Sequence, residues 1–97
     1  MFQITWTQKA EKQLIQTLIY WNNRNKSNSY SKKLLKEVKK REIYLAENPN
    51  SGMAIGYELV LKISVLRVFS LVYKLKEEQI IILAFWDNRR NPDHLEL

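Results

Sequence analysis

Two adjacent arginines near the end of the sequence, Arg89 and Arg90, are the side chains best suited to bind an anion. Each guanidinium is always charged and presents a fork of donors that matches a phosphate or a carboxylate. Lys62 and Arg67 are further cations in the second half of the chain. These four residues are therefore the candidates for contact with an anionic target.

Groups that could move a proton beside these cations are scarce. The single histidine, His94, titrates near neutral pH but lies close to the end of the sequence, a place typical of a solvated tail. Asp87 precedes an asparagine, and an Asp-Asn pair after a strand commonly bonds its own backbone. Glu58 is expected on the polar face of a strand. Lys62 would act as a base only if desolvation lowered its pKa.

The bulk composition limits the classes of protein that remain. The chain has 97 residues, a net charge of +6 and a pI near 9.7, which together indicate one domain, residues 1–97, with an anionic partner. Cysteine is absent and there is one histidine, so we expect no metal and no cofactor. The sequence shows no signal peptide and no long apolar run, so we expect a cytoplasmic protein without a membrane span.

Helical and strand periodicities divide the first half into three elements. Apolar side chains alternate up to Trp6, which predicts a half-buried strand. Thr7 then caps a helix over residues 8–23, because its hydroxyl can accept a bond from a free N–H of the first turn. A second helix runs over residues 29–47, and the Asn-Pro-Asn-Ser-Gly segment at 48–52 ends it.

The second half changes to the patterns of strands: residues 57–63 and 69–75 have a two-residue period, and a third strand is predicted over residues 80–86. The last of these is apolar throughout, which is typical of a strand covered on both faces and placed near the centre of a sheet, beside the first strand. The predicted fold is α+β, a two-helix hairpin on a mostly antiparallel four-stranded sheet in the order β-α-α-β-β-β. Such a hairpin covers one face of the sheet, so the other is solvated, covered by the tail or covered by a partner, and we favour a partner.

Several short motifs, in this order and spacing, resemble the RelE/ParE superfamily of bacterial toxins over nearly the whole chain. They are Ile4-Thr5-Trp6-Thr7, Tyr20-Trp21, Tyr30-Ser31, Leu45-Ala46-Glu47-Asn48-Pro49 with Gly52, Phe69-Ser70-Leu71-Val72-Tyr73-Lys74, and the segment from Ile80 to Pro92 that contains Asp87-Asn88-Arg89-Arg90. The resemblance implies a toxin of a type II toxin–antitoxin module. It also implies a cognate antitoxin, usually acidic where it wraps the toxin, and a hetero-oligomer of the two. We expect the antitoxin to contact four apolar side chains, Ile43, Val60, Val72 and Trp86.

The superfamily contains two kinds of toxin. RelE-like members cut messenger RNA on the ribosome, and ParE-like members inhibit DNA gyrase without cutting RNA. If the chain is a nuclease, its catalytic candidates are Arg89, Arg90, Lys62 and Arg67. The third predicted sheet strand, residues 69–75, lacks the arginine of RNA-cutting relatives, and the sequence has no terminal tyrosine.

These departures favour the ParE-like function, with Arg89, Arg90 and Arg67 as target-binding residues. The alternatives are a ribosome-dependent mRNA endonuclease and an interaction module that only binds its antitoxin. Tryptophan side chains could stack on bases. Trp6, Trp21 and Trp86 nevertheless lie in apolar contexts, so we expect them in the core.

Overall fold

The structure is a computed structural model that describes residues 1–90 and Leu95. It contains two helices and five strands. In chain order they are β1 (Gln3–Trp6), α1 (Gln8–Asn25), α2 (Ser29–Glu47), β2 (Met53–Ala54), β3 (Val60–Val65), β4 (Phe69–Lys76) and β5 (Gln79–Asp87).

The two helices form where the sequence predicts them. Thr7 caps α1 as expected, and its hydroxyl oxygen accepts a hydrogen bond from the Ala10 N–H at 3.1 Å. Helix α1 ends at Asn25, two residues beyond the predicted end, where Lys26 adopts a left-handed conformation with φ of 50°. Helix α2 has the predicted bounds. Among the described residues, no helix is long and apolar enough to cross a membrane.

The five strands form one mixed sheet in the order β1-β5-β4-β3-β2. Strand β1 is parallel to β5, and the other three neighbouring pairs are antiparallel. The predicted α+β class is confirmed, and β5 is an internal strand beside β1 as expected. The predicted count of four strands is wrong by one, because the two-residue strand β2 is too short to show a period in the sequence.

The strand predicted to begin at residue 57 begins instead at Val60. Gly56 and Leu59 have positive φ angles of 98° and 61°, which a strand does not accommodate. The alternation of apolar and polar residues in the sequence therefore extends beyond the strand into the preceding turn, where Tyr57 is 59% exposed. Glu58 lies in this turn and not on the polar face of a strand, as the sequence suggested.

The sheet carries a different apolar cluster on each face. The larger cluster lies between the sheet and the helices and contains Leu34 and Leu45 of α2 and Tyr73 of β4. We call the smaller one the far-face cluster. It consists of Val60, Val72, Ala84 and Trp86, with Ile55, Leu83 and Leu95 packed against it. Leu95, which follows Arg90 among the described residues, thus covers part of this face.

A bulge in β5 decides which of its side chains lie on which face. Leu83 has no partner in β4. Ile82 precedes it and packs in the helix-side core, whereas Ala84, two positions later, lies in the far-face cluster. Residues two apart in an uninterrupted strand share a face, so the bulge reverses the alternation. As a result, Trp86 lies on the far face and Asp87 lines a pocket on the helix side.

Candidate functional site

Arg89 is held by Asp87 at the end of β5. Its Nη2 and Nε atoms donate to the two carboxylate oxygens of Asp87 at 2.7 and 3.0 Å, and its backbone N–H donates to the same carboxylate at 2.9 Å. The hydrogen bonds that Arg89 donates to Asp87 lower the pKa of Asp87 and raise the pKa of Arg89. The pair remains largely exposed, so its geometry orients the guanidinium more than it stabilises the fold.

The guanidinium of Arg89 lies beside a group of aromatic side chains at the junction of α1 and α2. Its Cζ atom is 5.8 Å from the centroid of the Trp21 ring, and the Cζ of Arg24 is 5.9 Å from the same ring. Tyr20 contacts Trp21 edge-on at a centroid distance of 5.2 Å, and Tyr30 contacts it at 5.1 Å. We call these five residues the Trp21 cluster.

The start of α2 is fixed against the end of α1 by one buried hydroxyl. The Oγ of Ser31 lies 3.0 Å from the carbonyl oxygen of Leu18 and 2.6 Å from Oδ1 of Asn22. Because Ser31 follows Tyr30 in the chain, the contact of its hydroxyl with α1 keeps Tyr30 close to Trp21. The Tyr-Ser motif thus shapes the Trp21 cluster.

The side chain of Arg90 contacts a different tryptophan from that of Arg89. Its Cζ lies 4.9 Å from the centroid of the Trp86 ring, which belongs to the far-face cluster. Both arginines nevertheless line a pocket of about 310 Å³ together with Trp21 and Asp87. The two guanidiniums therefore lie at the same end of the sheet, that of Arg89 beside the Trp21 ring and that of Arg90 beside the Trp86 ring.

Arg67 lies at the same end of the molecule, in the turn between β3 and β4. Leu66 and Arg67 both have positive φ angles, 52° and 62°. Asn88 ties this turn to the end of β5: its side-chain amide donates to the Arg67 carbonyl at 3.1 Å, and its Oδ1 accepts from the Ser70 hydroxyl at 2.8 Å. Arg67, Arg89 and Arg90 therefore form a basic end of the sheet.

Lys62 lies apart from Arg89, in a second pocket of about 350 Å³ on the far face. Trp86 and Val72 line that pocket too. The far-face cluster brings together three of the four predicted antitoxin contacts, Val60, Val72 and Trp86. Ile43 does not join them: it is 69% exposed on α2.

Acid–base groups are sparse around these cations within the described part of the chain. Asp87 is bonded to Arg89, and Glu58 is exposed in the turn before β3. His94 lies outside the described residues. Within residues 1–90 and Leu95, no three acidic or histidine side chains come together as a metal site requires.

Sequence reasoning missed the Trp21 cluster because it assigned Trp21 to the core. Trp86 is buried, and Trp6 packs against the main core, as predicted. Trp21 is half-buried and lies outside both apolar clusters, so its assignment is wrong. The missed signal was Arg24 three residues later, because residues three apart lie on the same side of a helix.

This fold is shared with a solved structure described as "Chromosomal ParDE TA system from P. aeruginosa". The two chains superpose with a TM-score of 0.72 at 20% identity, over 90% of this chain and 96% of the other. A likeness at this identity concerns the fold. No curated protein matches the sequence.

A match to the sequence itself identifies the family. Residues 4–92 match the model of the family described as "ParE toxin of type II toxin-antitoxin system, parDE". The chain therefore belongs to the ParE toxin family, and the resemblance to RelE/ParE toxins is confirmed. The match supports the ParE-like prediction and does not favour the RNA-cutting alternative.

Proposed function

We propose that this chain arrests bacterial growth by binding DNA gyrase and inhibiting it, and that residues 1–97 act in the cytoplasm as one toxin domain. The observation that carries the proposal is the match of residues 4–92 to the ParE toxin family. A protein that acts by binding needs an exposed, oriented contact surface. The basic end formed by Arg67, Arg89 and Arg90 supplies one, and we assign target binding to it.

The arrangement of the cations supports inhibition by binding over cleavage of RNA. Cleavage requires a base for the 2′-OH and positive charge around a single phosphorane. Lys62 lies in the far-face pocket, while Arg89 lies on the helix side with its guanidinium engaged by Asp87. Arginine itself is a poor base because it stays protonated.

We further propose that a cognate antitoxin neutralises the chain by forming a hetero-oligomer with it. Ile43 is open to such a contact in the free chain. Val60, Val72 and Trp86 are only 6%, 1% and 7% exposed, so the antitoxin reaches them by displacing Leu95 from the far-face cluster. An acidic antitoxin would also meet the charge of +6 favourably.

Two assays with the purified chain separate gyrase inhibition from RNA cleavage. We expect gyrase supercoiling to fail in the presence of the toxin, and messages on programmed ribosomes to stay intact when their 5′ ends are mapped. Codon-specific cuts that vanish in Arg89→Ala would replace the proposal with an mRNA endonuclease. Unimpaired growth despite soluble expression would leave only an antitoxin-binding module.

The double variant Arg89→Ala/Arg90→Ala tests the basic end. We expect it to lose toxicity while melting at the same temperature as the parent, because both side chains are largely exposed. Full toxicity in this variant would assign the pair to structure.

A further inference from the structure

We propose that the Trp21 cluster is the main anchor for the target protein, and that it receives an acidic segment of that protein through Arg24 and Arg89. This inference rests on the proposed function. It extends the target site from the end of β5 to the end of α1 and the start of α2, and it specifies the chemistry of the partner.

The composition of the cluster is that of an interaction hot spot. Trp, Tyr and Arg are the residues most enriched where a few side chains supply most of the binding energy. Here Tyr20 is 54% exposed and Arg24 is exposed, while Trp21 and Tyr30 are half-buried beneath them. The surface is therefore reachable, and the packing under it keeps the rings in place before a partner arrives.

The charges select an acidic partner. Two guanidiniums lie beside one indole ring, and Asp87 engages only that of Arg89. Among the described residues, no carboxylate lies within ion-pair distance of Arg24. A carboxylate from a partner would pair with Arg24 and with the donors of Arg89 that Asp87 leaves free, so the Arg89–Asp87 pair stays intact. Apolar groups of the same segment would pack against the exposed part of Tyr20.

The surroundings of Trp21 favour a protein segment over a nucleic acid. A base needs an open aromatic face on which to stack. The Trp21 ring already has two guanidinium carbons within 5.9 Å and two tyrosine rings within 5.2 Å. The cluster also lies at the ends of the helices, away from the far face to which we assign the antitoxin. It is therefore free to contact a target.

The test measures the binding of purified DNA gyrase to the full-length toxin, with Arg24→Ala as the main variant. Arg24 is exposed, so the fold should survive its removal, and melting curves check this. We expect gyrase binding to weaken at least ~10-fold, as for removal of a hot-spot arginine. Lys36→Ala is the matched control, because it removes the same charge from an exposed site on α2 and should bind as the parent does.

The outcomes separate this inference from the proposed function. If the parent toxin binds gyrase and Arg24→Ala binds equally well, the inference fails and gyrase inhibition stands. If the parent does not bind gyrase, both fail. Loss of antitoxin binding alone in Arg24→Ala would assign the cluster to the antitoxin and overturn the inference. Arg24-dependent binding of a single-stranded oligonucleotide, with gyrase binding unchanged, would overturn it too.

Discussion

The hydroxyl group of Tyr73 accepts a hydrogen bond from the Gly52 N–H at 3.0 Å and donates one to the Pro49 carbonyl at 2.9 Å. The side chain is fully buried in β4, and its two partners belong to the loop after α2. Pro49 and Tyr73 belong to two of the sequence motifs that resemble the toxin superfamily. The hydroxyl of Tyr73 joins these two motifs. This contact holds the loop against the sheet.

Removing that hydroxyl should destabilise the protein without altering its core packing. In Tyr73→Phe, the Gly52 N–H and the Pro49 carbonyl lose their partner, at a cost of about 1–3 kcal/mol. For a domain of this size each kcal/mol lowers the melting temperature by roughly 4–8 °C. Tyr57→Phe is the control, since that side chain is 59% exposed. Equal melting temperatures for the two variants would contradict the assignment.

The same tyrosine predicts a loss of stability at alkaline pH. Burial raises its pKa above the ordinary value of 10.0, so the folded state keeps the phenolic proton to a higher pH than the unfolded state does. Its contribution is complete below pH 10 and declines as pH rises through the folded-state pKa. Urea unfolding between about pH 9 and 11 should therefore show a steeper decline for the parent than for Tyr73→Phe. If stability declined equally with pH in the parent and in Tyr73→Phe, the pKa of Tyr73 would be the same in the folded and unfolded states.

At the scale of elements, the loop between α2 and β3 contains two glycines with different requirements. A Cβ on Gly52 would lie 2.5 Å from the Tyr73 Oη and 2.7 Å from the Lys62 carbonyl oxygen, so the loop must move to admit it. A Cβ on Gly56 would meet nothing within 4 Å, but the φ of 98° is strained for any other residue.

A double-mutant cycle distinguishes these two requirements. We expect Gly52→Ala to cost roughly 1–3 kcal/mol in the parent and less in Tyr73→Phe, because the nearest clashing atom is gone. Gly56→Ala should cost about 1–2 kcal/mol in both backgrounds. Additive behaviour of Gly52→Ala and Tyr73→Phe in thermal unfolding would mean that the Lys62 carbonyl, and not the hydroxyl, sets the limit.

The bulge in β5 predicts that Leu83 can be removed without reversing the faces of the side chains that follow it. Leu83 is half-buried, so Leu83→Ala should cost ~1–3 kcal/mol and leave a cooperative unfolding transition. Deleting Leu83 would remove the extra residue, so that Ala84 follows Ile82 in regular alternation and Trp86 stays on the far face. We expect that variant to keep cooperative unfolding, as followed by circular dichroism. Loss of cooperative unfolding in the deletion variant would show that the fold requires the bulge itself and not only the correct facing of the side chains.

The elements that the sequence predicted well are those with clear local signals. Helix α2 has the predicted bounds because Asn48 and Pro49 end its period. Three features left no such signal. The turn before β3 keeps a two-residue alternation through Tyr57 and Leu59, the bulge at Leu83 lies in a run with no polar residue to mark a face, and β2 is only two residues long.

At the scale of the whole molecule, the charge of +6 and the far-face cluster predict how the antitoxin complex responds to salt. Ionic contacts between exposed groups are screened as salt rises, whereas apolar burial is not. We expect the complex to weaken with salt but to persist at about 1 M, where the Debye length is ~3 Å. Calorimetric titrations over a salt series measure this. Complete dissociation at moderate salt would mean that charge alone holds the pair.

The candidate site was only partly predictable because its parts come together through tertiary packing. The sequence indicated Arg89, Arg90 and Arg67, and the structure brings them to one end of the sheet. The role of Trp21 and Arg24 depends on where α1 ends relative to β5. Helical periodicity predicts which side chains share a face of α1. It does not predict where along the helix that face meets the end of β5.

The parallel pairing of β1 with β5 has a consequence for the synthesis of this protein. Of the five described strands, β1 is translated first, and its partner β5 is translated last. The sheet therefore cannot close until β5 has left the ribosome, and such pairing between distant segments also slows folding. The surface that includes Asp87 and Arg89 is assembled only after β5 has emerged. Trp86 of the far-face cluster lies on the same strand, so the surfaces that we assign to the target and to the antitoxin are completed together.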